Sequence, residues 1–232
     1  MNRIDRLDWN AIASQLDAAG HAVIDSLLSA SECASLAAAY DDERRFRSRI
    51  VMERHGFGRG EYKYFAYPLP AIVERLRTLL YAPLAAIANR WNEALEVERR
   101  YPADLAAFLK ACHRAGLTRP TPLLLKYGAG DYNCLHQDLY GELVFPVQAT
   151  LLLSSPGKDF TSGEFVLTDQ RPRMQSRAAV APLQRGDAVL FAVHHRPVRG
   201  ARGWYRVNMR HGVSPLRSGR RFTLGVIFHD AK

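Results

Sequence analysis

The sequence predicts an α+β protein with a mainly β core of the sandwich or barrel type and helices packed around it. Two features of the chain predict this fold class. Alanine-rich segments with helical periodicity fill the first half, and short β-rich runs separated by turn residues follow Thr118. With 232 residues, of which 47% are hydrophobic, the chain can bury a core of its own. We expect one domain over residues 1–232, with a helical support region at 1–119 and the β core at 120–232.

Four helices and one strand are predicted in the support region. Helical spacing, serines suited to capping and a glycine stop mark their limits. The third helix contains Pro83, which should kink or split it. In order, the predicted elements are a helix at 9–20, a strand at 21–28, and helices at 29–46, 71–95 and 102–116.

Seven β-rich runs are predicted in the second half. Turn sequences such as GAGD, PGKDFTSG, QRGD and RSGR separate them. Several short strands at this spacing are typical of a sandwich or a barrel. The runs are LLLKYG, YNCLHQD, LVFPVQATLLLSS, GEFVLT, DAVLFAV, WYRVNMRHGV and RFTLGVIF.

Positive charge is concentrated in the β-rich half. The formal net charge is +9, and between Gln170 and Arg221 twelve arginines accompany one acidic residue, Asp187. Such a cluster attracts anions, and nucleic acid is the most obvious of these. The alternative is a surface of solvated guanidinium groups in a chain that has 27 arginines and 5 lysines.

The cysteines and the N-terminus indicate the compartment. Cys33, Cys112 and Cys134 form no CxxC pair, which predicts neither a disulfide framework nor a zinc site and suggests a reducing environment in which Fe(II) persists. The N-terminus has no apolar stretch like that of a signal peptide, and no segment approaches the roughly 20 apolar residues of a membrane span. We therefore expect a cytoplasmic protein without a membrane partner.

His136 and Asp138 are the strongest candidates for a metal site. Side chains two positions apart in a strand point to the same face, so these two would project together. A second, distant histidine commonly completes such a site for iron, leaving open positions on the metal. The downstream candidates are His194, His195, His211 and His229.

The residues that follow His211 favour it over the other histidines. A turn and a new strand place Arg221 and Thr223 ten and twelve residues later on one strand face. There the arginine could bind a carboxylate through two parallel hydrogen bonds, and the threonine hydroxyl could add another. By contrast, His229 is too near the C-terminus for this arrangement, and His194 and His195 lie in an arginine-rich segment predicted as a loop.

Together these motifs resemble the Fe(II)/2-oxoglutarate-dependent oxygenases, and the resemblance covers roughly residues 120–229. The N-terminal sequence GHAVIDSLLSASEC is also similar to the strand and helix that precede the core in prolyl-hydroxylase-like members. The resemblance implies a double-stranded β-helix, or jelly roll, as the catalytic core. The motifs, in order, are Tyr127-x-x-Gly130, His136-x-Asp138, Gly163-Glu164-Phe165, Arg185-Gly186-Asp187 with Phe191, His211, and Arg221-x-Thr223.

The resemblance also implies the roles of the site residues. The metal ligands would be His136, Asp138 and His211, holding Fe(II), and Arg221 with Thr223 would bind the distal carboxylate of 2-oxoglutarate. The implied reaction consumes O2 and 2-oxoglutarate, releases succinate and CO2, and hydroxylates or oxidatively demethylates a substrate, with ascorbate as a supporting reductant. A tyrosine at the position of Tyr127 often lines the cosubstrate pocket in this family, although a core aromatic residue fits the run LLLKYG equally well.

The substrate class is less well defined. Similar bacterial members have been grouped as nucleic-acid-modifying oxygenases, and the sequence HHRPVRGARGWYRVNMR combines arginines with aromatic residues that could contact phosphates and stack on bases. We expect this segment, as a loop, to rim the mouth of the active site. Peptidyl hydroxylation, hydroxylation of a small anionic metabolite and a binding protein without turnover remain alternatives. The substrate candidates are Arg199, Arg202, Trp204 and Tyr205.

Cys134 would share the face of His136 by strand alternation. Because the proposed ligand set is already complete, we interpret Cys134 as a small buried hydrophobic residue.

Overall fold

The computed structural model describes residues 3–139 and 141–232, and most of their strands belong to two antiparallel sheets. The helices are α1 (Trp9–Ala19), α2 (Ala30–Ala38), α3 (Ala71–Ala94) and α4 (Leu105–Arg114). The first strands are β1 (His21–Ile24), β2 (Phe46–Val51), β3 (Gly58–Arg59), β4 (Glu61–Phe65), β5 (Leu123–Tyr127), β6 (Tyr132–His136), β7 (Val147–Leu152) and β8 (Phe160–Ser162). The remaining strands are β9 (Phe165–Gln170), β10 (Arg177–Ala181), β11 (Ala188–Ala192), β12 (His195–Gly200), β13 (Gly203–Val213), β14 (Leu216–Gly219) and β15 (Arg221–Val226).

The larger sheet has seven strands in the order β1-β11-β7-β15-β5-β4-β2. The second has the order β10-β9-β13-β6-β3, with β12 also paired to β13, and β14 pairs with β8 in a short third sheet. Residues from the facing sides of the two large sheets pack in one apolar cluster that includes Leu152, Phe165, Leu167 and Phe191. Their hydrophobic inner faces are thus buried against each other, and the fold is the predicted double-stranded β-helix.

The helices pack around this β core through a second and larger apolar cluster. Local sequence sets their ends: Asp8 caps α1, whose C-cap Gly20 has φ 75°, and Ser29 forms a capping box with Glu32 at the start of α2. The second predicted helix was too long, because α2 ends at Ala38 and two short 3₁₀ turns lead into β2. No helix formed by the described residues is both long enough and apolar enough to span a membrane.

The third helix continues through Pro83, so of the kink or split expected there the split is wrong. Pro83 is only partly buried, whereas Tyr81, Leu84 and Ala85 around it are buried in the core. Packing on both sides of the proline therefore outweighs the loss of one backbone hydrogen bond.

The first 119 residues contribute strands to both large sheets. Of these four strands only β1 lies in a segment that sequence analysis predicted as strand. Three more strands in the second half, β8, β10 and β14, were missed because they have few or no alternating apolar residues. The segment expected as a loop near residue 195 is β12, which forms a hairpin with β13.

A buried polar network holds the segment after β15 against α3. The guanidinium of Arg77 donates to the carbonyl oxygens of Ile227 and His229, at 2.9 and 3.0 Å, and to Asp230 Oδ1 at 2.7 Å. Tyr67 Oη donates to Asp230 Oδ2, and His113 Nε2 lies 2.8 Å from the same oxygen. The carboxylate of Asp230 and the guanidinium of Arg77 are both almost fully buried. Each charge is therefore stabilised by the opposite charge of the other.

Candidate active site

A cavity of about 330 Å³ lies between the two large sheets. Its walls come from β4, β5, β6, β7, β9, β13 and β15 and include both candidate metal ligands and a cationic side chain. Among the lining residues the exposed ones mark the mouth: Gly56, Phe57, Cys134 and Leu135. A concave site with few convergent polar groups is the usual form of a small-molecule pocket.

The fold brings His136, Asp138 and His211 together in this cavity. The two histidines are direct cross-strand partners on β6 and β13, and Asp138 follows two residues after β6 ends. One ligand atom from each residue lies within 4.8 Å of the other two. The Nε2 atoms of His136 and His211 are 3.4 and 3.5 Å from the two carboxylate oxygens of Asp138. This grouping of two imidazoles and one carboxylate suits a divalent first-row transition metal.

The histidine ring of His136 is oriented by its own strand. Its Nδ1 lies 2.7 Å from the carbonyl oxygen of Cys134. A carbonyl only accepts hydrogen bonds, so Nδ1 carries the proton and Nε2 presents its lone pair to the cluster. The ring of His211 packs 4.2 Å from that of His136 and 4.5 Å from Phe191, measured between centroids.

The electrostatics favour the ligand forms of Asp138 and His211. Burial alone would raise the pKa of Asp138, but hydrogen bonding and attraction from the two histidines bring it well below its usual range. Burial, reinforced by repulsion from His136, lowers the pKa of His211. The pKa of His136 is raised, because Asp138 outweighs the opposing effect of burial. The cluster thus holds an ionised carboxylate beside a neutral His211.

Arg221 supplies a buried positive charge to the same cavity. Its side chain is 1% exposed, and the Nε and Nη1 atoms have no hydrogen-bond partner among the described residues. The guanidinium carbon lies 5.6 and 5.9 Å from the ring centroids of Tyr127 and Phe160. Burial lowers the pKa of Arg221 to about 10. A buried cation with unsatisfied donors is costly unless an anion binds there.

Thr223 and Tyr127 accompany Arg221. Both are buried and line the cavity, and Tyr127 is the cross-strand partner of Arg221 between β5 and β15. Burial raises the pKa of the Tyr127 hydroxyl to about 12, so the group stays protonated and can donate a hydrogen bond. The three residues that the sequence predicted for the cosubstrate pocket therefore lie together in one part of the cavity.

The four substrate candidates lie outside the active-site cavity. The expectation that their segment forms a loop at the mouth of this cavity is wrong. None of the four residues lines the cavity, because Trp204 and His211 are seven positions apart on β13 and so about 23 Å apart along the strand. Arg202 is in the hairpin turn, and Tyr205 is half-buried against the helical core.

Arg199 and Trp204 instead line a second cavity of about 310 Å³ where the hairpin meets α1 and α3. The guanidinium of Arg199 lies 5.5 Å above the ring of Trp204. Three further arginines line this cavity: Arg90, Arg171 and Arg196. Asp17 also lines this cavity and pairs with Arg90, and the buried Arg196 pairs with Asp169, so Arg199 and Arg171 supply the remaining positive charge beside the exposed indole.

The remaining histidine candidates do not join the cluster. His195 is the first residue of β12 and His194 precedes it, with their ring centroids 3.4 Å apart. His229 is fully buried, and its Nδ1 accepts a hydrogen bond from the backbone N–H of Phe145.

Sequence reasoning misjudged Cys134 and overlooked Phe57. Cys134 is exposed at the cavity mouth, because β6 is bordered there by β3, a strand of only two residues. Phe57 lies in the glycine-rich sequence RHGFGRG, which was a usable signal for a backbone that packs closely against a neighbouring strand.

Comparison with known proteins identifies close relatives. A protein of Mycobacterium tuberculosis (strain ATCC 25618 / H37Rv), named uncharacterized protein Rv2227, is 50% identical over 167 residues, which are 72% of each chain. The same identity and coverage hold for uncharacterized protein MT2286 of the strain CDC 1551 / Oshkosh.

Solved structures with the same fold are more distant in sequence. A Pseudomonas putida prolyl-4-hydroxylase superposes with a TM-score of 0.55 at 16% identity, over 97% of this chain and 99% of that one. An oxidoreductase of the 2OG-Fe(II) oxygenase family from Burkholderia pseudomallei gives a TM-score of 0.53 at 14% identity, over 95% of this chain and 90% of that one. These similarities show the fold that the motifs predicted.

A family model matches residues 60–231, most of the chain, and its family is described as "Oxygenase, catalysing oxidative methylation of damaged DNA". The matched range contains the cluster of His136, Asp138 and His211 together with Arg221. With half-identical relatives over most of its length and a family match of this extent, the chain belongs to this family of oxygenases.

Proposed function

We propose that this oxygenase is an Fe(II)- and 2-oxoglutarate-dependent dioxygenase that hydroxylates or oxidatively demethylates a nucleic acid. The observation that carries the proposal is the placement of Arg221, buried and with unsatisfied donors, in the same cavity as the cluster of two histidines and one aspartate. A solved structure with this fold, at 14% identity, is named as a 2OG-Fe(II) oxygenase, which supports the choice of cofactors.

The residues present fit both groups. His136, Asp138 and His211 would hold the iron through two nitrogen ligands and one oxygen ligand. Arg221 would bind the distal carboxylate of 2-oxoglutarate through its unpaired Nε and Nη1 donors, with Thr223 adding a hydroxyl. Such an ion pair would offset the cost of burying the guanidinium.

The iron and 2-oxoglutarate, when bound, supply the oxidation, in which O2 is consumed and succinate and CO2 are released. The protein's residues prepare the site for this reaction. The hydrogen bond from His136 Nδ1 to the Cys134 carbonyl keeps Nε2 free to coordinate, and the apolar walls of the cavity limit access of water. Tyr127, neutral because of its raised pKa, can donate a hydrogen bond beside Arg221.

The nucleic-acid substrate is supported by the family description and by charge. The family is described as acting on damaged DNA. The chain carries a net charge of +9, and the arginine-lined cavity at Trp204 combines the phosphate-binding and base-stacking groups that bind single strands.

The test couples metal binding to product analysis. The wild-type protein and its His211→Ala variant would be incubated with Fe(II), ascorbate and 2-oxoglutarate, together with oligonucleotides, peptides or small anionic metabolites. Succinate and the modified nucleosides, peptides or metabolites would be measured by mass spectrometry, and metal binding by isothermal titration calorimetry. We expect modified nucleosides from the wild-type protein and none from His211→Ala, whereas the control variant His195→Ala, outside the cluster, should keep activity.

Each part of the proposal has its own contrary result. Full activity of His211→Ala would disprove the ligand assignment. Modified peptides without modified nucleosides would favour a peptidyl hydroxylase, and turnover of a small anionic metabolite alone would favour a metabolic enzyme. Metal binding without any 2-oxoglutarate turnover would indicate a binding protein.

A further inference from the structure

The mouth of the active-site cavity is formed by a short basic and aromatic loop. We call residues 52–60, with the sequence MERHGFGRG, the mouth loop. It begins with a 3₁₀ turn at Met52–His55 and ends in β3, and Gly56 and Phe57 from this loop line the cavity. The proposed function does not use it.

Backbone contacts fix the mouth loop to the strand that carries His136. The carbonyl oxygen of Phe57 accepts a hydrogen bond of 2.9 Å from the N–H of Cys134, and Gly58 pairs with Asn133. Gly58 has φ +124°, and a Cβ there would lie 2.4 Å from the carbonyl oxygen of Tyr132. Only glycine allows this close approach. Phe57 is therefore held in a defined position relative to the three candidate metal ligands.

Phe57 presents an aromatic surface at the entrance. Its side chain is 46% exposed although it lines the cavity, and the ring of His55 stacks against it at 5.3 Å between centroids with an interplanar angle of 23°. Leu135, on the neighbouring strand, is 45% exposed beside the same opening. Large apolar side chains exposed together at the entrance to a site indicate a ligand with an apolar face.

Positive charge flanks this aromatic surface. Arg54 and Arg59 are exposed, and Arg54 forms no ion pair with any described residue. Arg59 lies 3.5 Å from Glu53, but both side chains are more than half exposed, so this pair is weak and can exchange for another anion. A ligand for the mouth loop would therefore be planar and apolar on its faces and anionic on either side.

We propose that the mouth loop receives an unpaired nucleobase, which stacks on Phe57 while Arg54 and Arg59 contact the flanking phosphates. This assignment rests on the proposed function, because it names the element that would present a nucleic-acid substrate to the cavity. Stacking on an aromatic ring requires a base that is single-stranded or turned out of a duplex. Phe57 is then a substrate-positioning residue. It lies apart from the candidate metal ligands and from the cavity at Trp204.

The test uses a fluorescein-labelled single-stranded DNA 12-mer and fluorescence anisotropy at low salt. We expect Phe57→Ala to weaken binding about 5- to 150-fold, the loss typical of one base–aromatic stacking contact, and Phe57→Trp to restore it. Arg54→Ala should weaken binding and also reduce its dependence on salt. Val180→Ala, which shortens a similarly exposed apolar side chain on β10, is the matched control and should bind like the wild type.

A second measurement reports contact directly. The same oligonucleotide with 5-iodouracil at its centre would be photocrosslinked to the wild-type protein, and the attached peptide identified by mass spectrometry. A crosslink to the peptide that contains Phe57 is expected. Thermal melting would test whether each variant is folded. We expect Phe57→Ala to stay folded, because the Phe57 side chain is half-exposed.

The outcomes separate the two proposals. If the wild-type protein binds the oligonucleotide but Phe57→Ala binds equally well, or if crosslinks form only at Trp204, the mouth-loop assignment is wrong while the proposed function stands. If the wild-type protein binds no oligonucleotide and modifies only peptides, the nucleic-acid substrate itself is wrong.

Discussion

The proposed cosubstrate site depends on a single buried cation. Arg221 is 1% exposed, whereas its neighbour Arg220 is exposed in the turn before β15. Strand alternation therefore puts two chemically identical side chains in opposite environments one residue apart. This pair offers an internal comparison for the proposed carboxylate contact.

We predict that Arg221→Ala weakens binding of 2-oxoglutarate by about 2–5 kcal/mol, because the anion would lose its buried partner. Arg220→Ala should change the affinity little. The measurement is isothermal titration calorimetry with 2-oxoglutarate and the Mn(II)-loaded protein in the absence of O2. Equal losses in the two variants would show that Arg221 does not bind the carboxylate.

At the scale of elements, the hairpin of β12 and β13 presents Arg199, Arg202 and Trp204 away from the catalytic cavity. Arg199 and Arg202 are exposed and Trp204 is 47% exposed, so the hairpin can contribute charge and stacking separately. Charged contacts to phosphates depend on salt, whereas stacking hardly does.

We predict that affinity for single-stranded DNA falls with ionic strength, with a log-log slope of about −0.7 per phosphate neutralised. Trp204→Ala should cost roughly 1–3 kcal/mol with the slope nearly unchanged, whereas Arg199→Ala or Arg202→Ala should flatten the slope. Fluorescence anisotropy between low and moderate salt measures both quantities. Binding that does not depend on salt would show that the hairpin arginines are solvated and do not contact phosphates.

At the scale of the whole molecule, the contact between α3 and the C-terminal segment links the helical layer to the β core. Arg77 reaches the backbone at Ile227 and His229 as well as the carboxylate of Asp230. Because this segment directly follows β15, the same contact fixes the strand that carries Arg221 and Thr223.

We predict that Arg77→Ala lowers the free energy of unfolding by about 3–5 kcal/mol, because it leaves Asp230 buried without its cationic partner. The matched control on the same helix is Arg75→Ala. Arg75 is half-exposed in its pair with Glu32, so its loss should cost under about 1 kcal/mol. Urea denaturation measures both, and similar losses would contradict the assigned role of the buried pair.

Stability should also depend on pH through His229. Burial, with repulsion from Arg77, lowers its pKa to about 4. The unfolded chain takes up a proton near pH 6.5 and the folded chain only near pH 4, so the unfolded state binds more protons between these values. The folded state is therefore fully favoured above pH 6.5 and loses stability as the pH falls towards 4.

We predict a loss of about 3 kcal/mol from this group between pH 6.5 and pH 4. His229→Asn, which keeps an acceptor for the N–H of Phe145 but does not titrate, should reduce this dependence, measured by urea denaturation at several pH values. The control is His55→Asn, because the His55 side chain is exposed and its replacement should leave the pH dependence unchanged. An unchanged pH dependence in His229→Asn would show that another group is responsible.

The sequence by itself determined the fold class, the end of α1, the start of α2 and the spacing of the candidate metal ligands. Caps at Ser29 and Gly20 and the two-residue spacing of His136 and Asp138 act within a few positions of the chain, so they can be predicted without knowledge of the fold. The motifs around His211 and Arg221 also predicted the family.

Only the tertiary structure decided which distant elements meet. The register of β13 on β6 sets His211 opposite His136, and the hairpin geometry removes Trp204 from the mouth where it was expected. Packing against the core keeps α3 continuous across Pro83, and the approach of Gly58 to Tyr132 brings Phe57 to the cavity. These outcomes depend on contacts between residues far apart in the chain, whose energies outweigh local preference and leave no periodic signal in the sequence.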